Sequence, residues 1–151
     1  MKANNENVLI FLADDDLDDV AIFEAALQEF HTNYSLLIFK TATELLEHLA
    51  VVENPLPDLL FLDLNMPEMT GIECLKIMRA EARLKKISIA IYTTSKRNQD
   101  MEATLKAGAN IFITKPNDFK NLVRILKHVI NINWQYQTLP LNRSTFLLAL
   151  S

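Results

Sequence analysis

Short apolar runs alternate along this chain with segments whose apolar residues recur at helical spacing. Val8-Leu9-Ile10-Phe11-Leu12-Ala13 is the first run, and Val20, Phe23, Leu27 and Phe30 then follow at spacings of three, four and three, one face of a helix. Residues 35–39 predict a second strand, and Leu45, Leu46 and Leu49 with Val52 a short second helix. Pro55 and Pro57 punctuate the chain before Leu59-Leu60-Phe61-Leu62, a third strand that ends at Asp63. Gly71 opens a third helix carrying Ile72, Leu75 and Met78 and closing near Arg83. Residues 88–92 predict a fourth strand, and a polar helix from about Asn98 to Ala107 follows, with Gly108 as its left-handed C-cap. Residues 111–113 are a fifth strand, and Asp118 starts a last helix with Phe119, Leu122, Val123, Leu126 and Val129 facing inward.

Five strands alternating with five helices predict an α/β fold, a doubly wound parallel sheet of the flavodoxin-like kind. Right-handed crossovers make 2-1-3-4-5 the economical strand order, with the topological switch between strands one and three. Half of the residues are apolar, enough for a core in one globular domain. The net charge of −4, without a dense basic run, argues against a nucleic-acid partner. Lone Cys74 excludes an intramolecular disulfide and fits a reducing compartment. Residues 1–7 are polar, and every apolar run is too short to cross a bilayer, so a cytoplasmic protein without a membrane partner is expected. With only Gly71 and Gly108 available, no glycine-rich phosphate loop can be built, which argues against a nucleotide cofactor.

The candidate chemistry lies where the apolar runs stop. Asp14-Asp15-Asp16 follows the first strand and Asp63 the third, so carboxylates converge at the carboxyl rim beside the switch point. Like charges at such spacing destabilise one another unless a cation neutralises them; oxygen donors that can be completed by phosphate suit Mg²⁺. The triple Asp could alternatively serve only to cap the helix that follows. Strand four delivers Thr93-Thr94-Ser95 to the same rim and strand five delivers Lys115-Pro116. In this constellation Asp63 would attack phosphorus, the metal and Lys115 would offset the developing negative charge, and Thr93 would hydrogen-bond a phosphoryl oxygen.

These segments resemble the receiver domain of two-component response regulators, the CheY-like family, over roughly residues 7 to 132. The strand ending in paired acids matches Leu12-Ala13-Asp14-Asp15, the acceptor segment matches Phe61-Leu62-Asp63-Leu64-Asn65-Met66-Pro67-Glu68-Met69-Thr70-Gly71, the hydroxyl position matches Thr93, and the Lys-Pro pair matches Lys115-Pro116. The resemblance implies that Asp63 is phosphorylated, Asp15 is a direct Mg²⁺ ligand, Asp14 acts mainly through metal-bound water, and Asn65 lends its backbone carbonyl. It also implies a cis Lys115-Pro116 peptide and a switch in which Phe112 turns inward as Thr93 moves toward the phosphoryl group. A member of this family takes its phosphoryl group from a sensor histidine kinase, catalyses only its own phosphorylation and dephosphorylation, and signals through changed protein contacts. Two alternatives are an intermediate carrier to a histidine phosphotransfer protein and a Mg²⁺-dependent aspartyl phosphatase. The phosphatase is disfavoured by Asn65, where such enzymes place a second Asp.

Several positions depart from the family pattern or extend beyond it. Ser88 stands at the entrance of strand four in place of the usual proline, and the ring of Tyr92, where an aliphatic residue is common, is expected to alter packing near Thr93. Asp16 is assigned to helix capping. Lys76, Arg79, Arg83, Lys85 and Lys86 read as a solvated face. Residues 133–151 form a tail too short for a separate effector domain, carrying Trp134, Tyr136, Pro140 and Phe146-Leu147-Leu148-Ala149-Leu150. That tail resembles those of small phytochrome-associated regulators. It is expected to fold back or cross to a second copy, so that a homodimer would use either the tail or the face of helix four, strand five and helix five.

Overall fold

A computed structural model describes residues 7–136, with side chains through 131. The elements run β1 (Val8–Ala13), α1 (Leu17–Leu27), β2 (Tyr34–Phe39), α2 (Ala42–Ala50), β3 (Leu59–Leu62), α3 (Gly71–Ala80), a 3₁₀ turn (Ala82–Leu84), β4 (Ser88–Thr93), α4 (Asn98–Ala107), β5 (Ile111–Thr114) and α5 (Phe119–Tyr136). The five strands pair in parallel in the order β2-β1-β3-β4-β5, the order expected from the crossover rule.

The sheet divides the core in two. Phe11, Leu60, Leu62, Ile89, Ile91 and Phe112 face α2, α3 and α4, where they meet Leu45, Leu49, Leu75 and Met78. Ile10, Leu12, Phe61, Tyr92 and Ile113 face α1 and α5, where they meet Phe23, Leu27, Leu126 and Val129. A central parallel strand is therefore apolar on both sides, which is why β3 reads as an unbroken run rather than an alternation. The edge strand β2 is covered less, and Leu37 and Ile38 stay exposed.

Local signals set the boundaries. Asp16 caps α1 by accepting from the Asp18 and Asp19 amides, as assigned. Thr70 and Glu73 form a reciprocal capping box at the start of α3. Gly108 closes α4 at φ 107°, its N–H reaching the Thr104 and Leu105 carbonyls.

Four expected positions differ. α3 ends at Ala80, where Glu81 turns extended, so Arg83 lies in the 3₁₀ turn. α2 ends at Ala50, and the His48 carbonyl accepts from the Val51 N–H and from Asn54 Nδ2; Val52 lies past that end and is exposed. Phe30 falls in the turn after α1, half-buried against the α1–α5 core. Phe119 is exposed at the first turn of α5, whose buried stripe is Leu122, Ile125, Leu126, Val129 and Ile130, with Val123 half-buried. The backbone of α5 continues past 132 to Tyr136. The side chains of Trp134 and Tyr136, and all of Pro140 and 146–150, lie outside the described residues.

Candidate functional site

The register brings the acids together. Ala13 pairs with Leu62 and the Asp63 N–H donates to the Ala13 carbonyl at 3.0 Å, so Asp14 and Asp63 leave adjacent strands side by side. One carboxylate oxygen from each of Asp14, Asp15 and Asp63 lies within 4.8 Å of the others. Asp14 and Asp63 are buried, whereas Asp15 reaches solvent. Asp14 Oδ1 accepts from the Asp16 N–H at 3.0 Å and Asp63 Oδ1 from the Asn65 N–H at 3.4 Å.

Gly71 holds the acceptor loop in place. Its N–H donates to the Leu64 carbonyl, and a Cβ here would stand 2.3 Å from the Asp63 carbonyl oxygen. Only glycine lets the start of α3 approach the loop this closely.

Lys115 enters from the end of β5, its N–H donating to the Thr93 carbonyl at 2.7 Å. Its ammonium stands 2.8 Å from Asp14 Oδ2, 2.8 Å from Asp19 Oδ2 and 3.7 Å from Asp63 Oδ2. It also lies 5.2 Å from the centre of the Tyr92 ring. That ring points away from Thr93 and packs on Phe23 and Phe61, correcting the expectation that it alters the hydroxyl's surroundings. The Lys115-Pro116 peptide is trans, not cis. Trans is the intrinsically lower form even before proline, and the lysine's backbone and ammonium contacts both form with it.

Thr93 is fully buried and its Oγ1 accepts from the Ser95 N–H at 3.3 Å. Ser95 is held in turn, its hydroxyl donating to Asp100 and its carbonyl accepting from Thr114. Phe112 is buried on the α2–α3–α4 side of the sheet.

Burial dominates the electrostatics. It pushes the Asp63 carboxyl up to about 6, with Lys115 opposing and Asp14 adding to the rise. Asp14 is likewise raised by burial, against the pull of Lys115. Burial alone would lower Lys115, but its bonds to Asp14 and Asp19 and the field of Asp63 carry it above the ordinary lysine range. Asp14 Oδ2 is shielded from solvent and faces the Lys115 ammonium at 2.8 Å. Three carboxylates whose oxygens converge, two of them buried, form an all-oxygen donor set that fits a hard divalent cation.

The structure thus unites Asp14, Asp15, Asp63, Asn65, Thr93 and Lys115 on one rim, and Phe112 lies on β5 two residues before Thr114, on the α2–α3–α4 side. Sequence reading missed Asp19 and the cation-facing role of Tyr92. Asp19 was traceable in part, since it lies in the first turn of the helix that begins just after the paired acids. Arg79 was misjudged as surface: its guanidinium turns inward to Gly108, Asn110 and Lys85.

This arrangement of acids, hydroxyl and lysine on a 2-1-3-4-5 sheet is that of a signalling receiver. The chain belongs to the response regulator receiver domain family, whose model matches residues 10–127. It is similar to response regulator Rcp1 of Synechocystis sp., at 28% identity over 141 residues, covering 91% of this chain and 96% of that protein. Among solved structures it resembles the phosphorylated cyanobacterial phytochrome response regulator RcpA, with a TM-score of 0.78 and 25% identity, covering 85% of this chain and 95% of that one. The Mn²⁺-bound form of Rcp1 shares the fold at a TM-score of 0.74 and 24% identity, covering 89% of this chain and 99% of that one. Receiver domains of this family work with histidine kinases in two-component systems. Among the described residues, no helix is long and apolar enough to cross a membrane.

Proposed function

We propose that this receiver accepts a phosphoryl group on Asp63 from a sensor histidine kinase and signals through changed protein contacts. The observation that carries the reading is a buried Asp63 with Asp14, Asp15 and Lys115 gathered about it at the carboxyl rim. A carboxylate oxygen of Asp63 attacks phosphorus as the bond to the donor's imidazole nitrogen breaks, and the imidazole leaves with that electron pair and regains its proton. Asp14, Asp15, Asp63 and the Asn65 carbonyl would hold Mg²⁺, which when bound offsets charge on the phosphoryl oxygens. Lys115 neutralises the oxygen turned toward β5. Thr93, released from the Ser95 amide, donates its hydroxyl to another, and Phe112, whose ring is already fully buried on the α4 side, is the aromatic partner of this switch. The similarity to phytochrome response regulators over most of the chain makes a phytochrome-type kinase the first donor to try.

Intact-protein mass spectrometry after incubation with acetyl phosphate and Mg²⁺ tests this. A single phosphoryl adduct is expected in the wild type and not in Asp63→Asn or without metal. An unmodified wild type, in a protein shown to bind Mg²⁺, would overturn the reading.

A further inference from the structure

We propose that Asp19 is a positioning residue that holds Lys115 off Asp63 in the resting state; this rests on the reading of Asp63 as the acceptor. The ammonium can donate three hydrogen bonds. Two of its carboxylate partners, on Asp14 and Asp19, lie at 2.8 Å, while Asp63 Oδ2 at 3.7 Å is beyond hydrogen-bond range. Asp14 and Asp63 come from neighbouring strands, so an ammonium answering to those two alone would settle between them. Asp19 pulls from a different direction, the first turn of α1, and the Tyr92 ring from β4 gives the cation a second non-competing contact. The acceptor carboxylate therefore keeps its lone pairs uncovered by the lysine.

The choice of Asp19 is specific to its place on the helix. Asp18 carries the same charge one residue earlier, but it is exposed and Lys115 does not pair with it. Asp19 is half-buried beside Val20, on the side of α1 that faces the sheet. Both acids lie near the start of α1, so a general contribution to helix charge would come equally from either. The tether to Lys115 comes only from Asp19.

Loss of the tether lets Lys115 settle against Asp63, where it competes with a divalent cation for the same oxygens. Calorimetric titration with Mg²⁺ reads this directly, on proteins whose folding is first verified by thermal melting. Asp19→Asn is expected to weaken Mg²⁺ binding by about fivefold, within the range for residues in direct contact. Asp18→Asn should change it by less than about twofold, as expected of a screened exposed charge. Asp19→Glu should restore most of the wild-type affinity, and Asp19→Asn should have little effect when Lys115 is already Met. Equal effects from Asp18→Asn and Asp19→Asn, or an undiminished Asp19→Asn effect in the Lys115→Met protein, would overturn the inference while leaving the acceptor reading in place. A wild type that neither binds Mg²⁺ nor forms an Asp63 adduct would overturn both.

Discussion

Two half-buried cations, Arg79 and Lys115, are held in opposite ways. Arg79 spends its donors on neutral acceptors: the Gly108 carbonyl and Asn110 Oδ1 at 2.9 Å each, and the Lys85 carbonyl at 3.2 Å. Lys115 faces three carboxylates at unequal distances, 2.8, 2.8 and 3.7 Å. Asn110 also accepts the Ile89 N–H, so Arg79 ties α3 to the α4–β5 turn and, through it, to the sheet. A cation bound by carbonyls has one arrangement that satisfies them. A cation shared among acids can be re-partnered whenever another charge arrives. The first is a fastening, the second a movable part.

Removing Lys115 should produce the largest change. Lys115→Met leaves Asp14, Asp19 and Asp63 without their shared cation and is expected to cost about 3 kcal/mol at pH 7 in urea denaturation without divalent metal. The loss should shrink toward pH 5, because protonating Asp63, already pushed up to about 6, removes one of the opposed charges. Added Mg²⁺ should recover part of it.

Asp63→Asn should act in the other direction. The folded carboxyl titrates at about 6 against a usual 3.8, so between these values the native state holds a proton that the unfolded chain has lost. Wild-type stability contributed by this group therefore falls as pH rises through that window. Asp63→Asn should be more stable by about 2 kcal/mol at pH 7 without metal, with the gain absent at pH 3.

Arg79→Met separates fastening from movable part. It strands several carbonyls and the Asn110 amide, at a cost of about 2 kcal/mol, and unlike Lys115→Met its loss should be the same at pH 5 and pH 7 and unrelieved by Mg²⁺. The smallest effect is expected at Gly108, where φ is 107° and a Cβ would meet Arg79 Cγ at 2.8 Å. Gly108→Ala should cost about 1 kcal/mol by thermal melting, with phosphorylation of Asp63 unchanged.

Much of this contrast could not be read from sequence, for a physical reason. The strand ends were legible because each apolar run stops where the buried sheet stops, so the sequence alone places Asp14, Asp63, Thr93 and Lys115 on one rim. α4 and its Gly108 cap were legible because both signals are local. The partners of Asp19 and Arg79 are not local: Asp19 meets a lysine 96 positions away, and Arg79 meets a carbonyl 29 positions away. Residue type alone makes both look like surface charge. Val52 and Phe119 erred for a related reason, since apolar periodicity continued past the point where each helix face left the core. The cis peptide was expected from resemblance, with nothing in the local residues to enforce it.

The two-sided core has a consequence for how a message leaves this molecule. The sheet acts as a partition wall. Asp19 and the Tyr92 ring, which cradle the lysine, stand on the α1–α5 side, whereas Phe112 and the Ser95 clasp on Asp100 stand with α4 on the other. On the proposed reading, charge would be received at the rim where the strands end, between these two sides, and any change of shape would be read on the α4 side. A partner that gripped the α4 side would then respond to phosphorylation without touching Asp19, Tyr92 or Lys115.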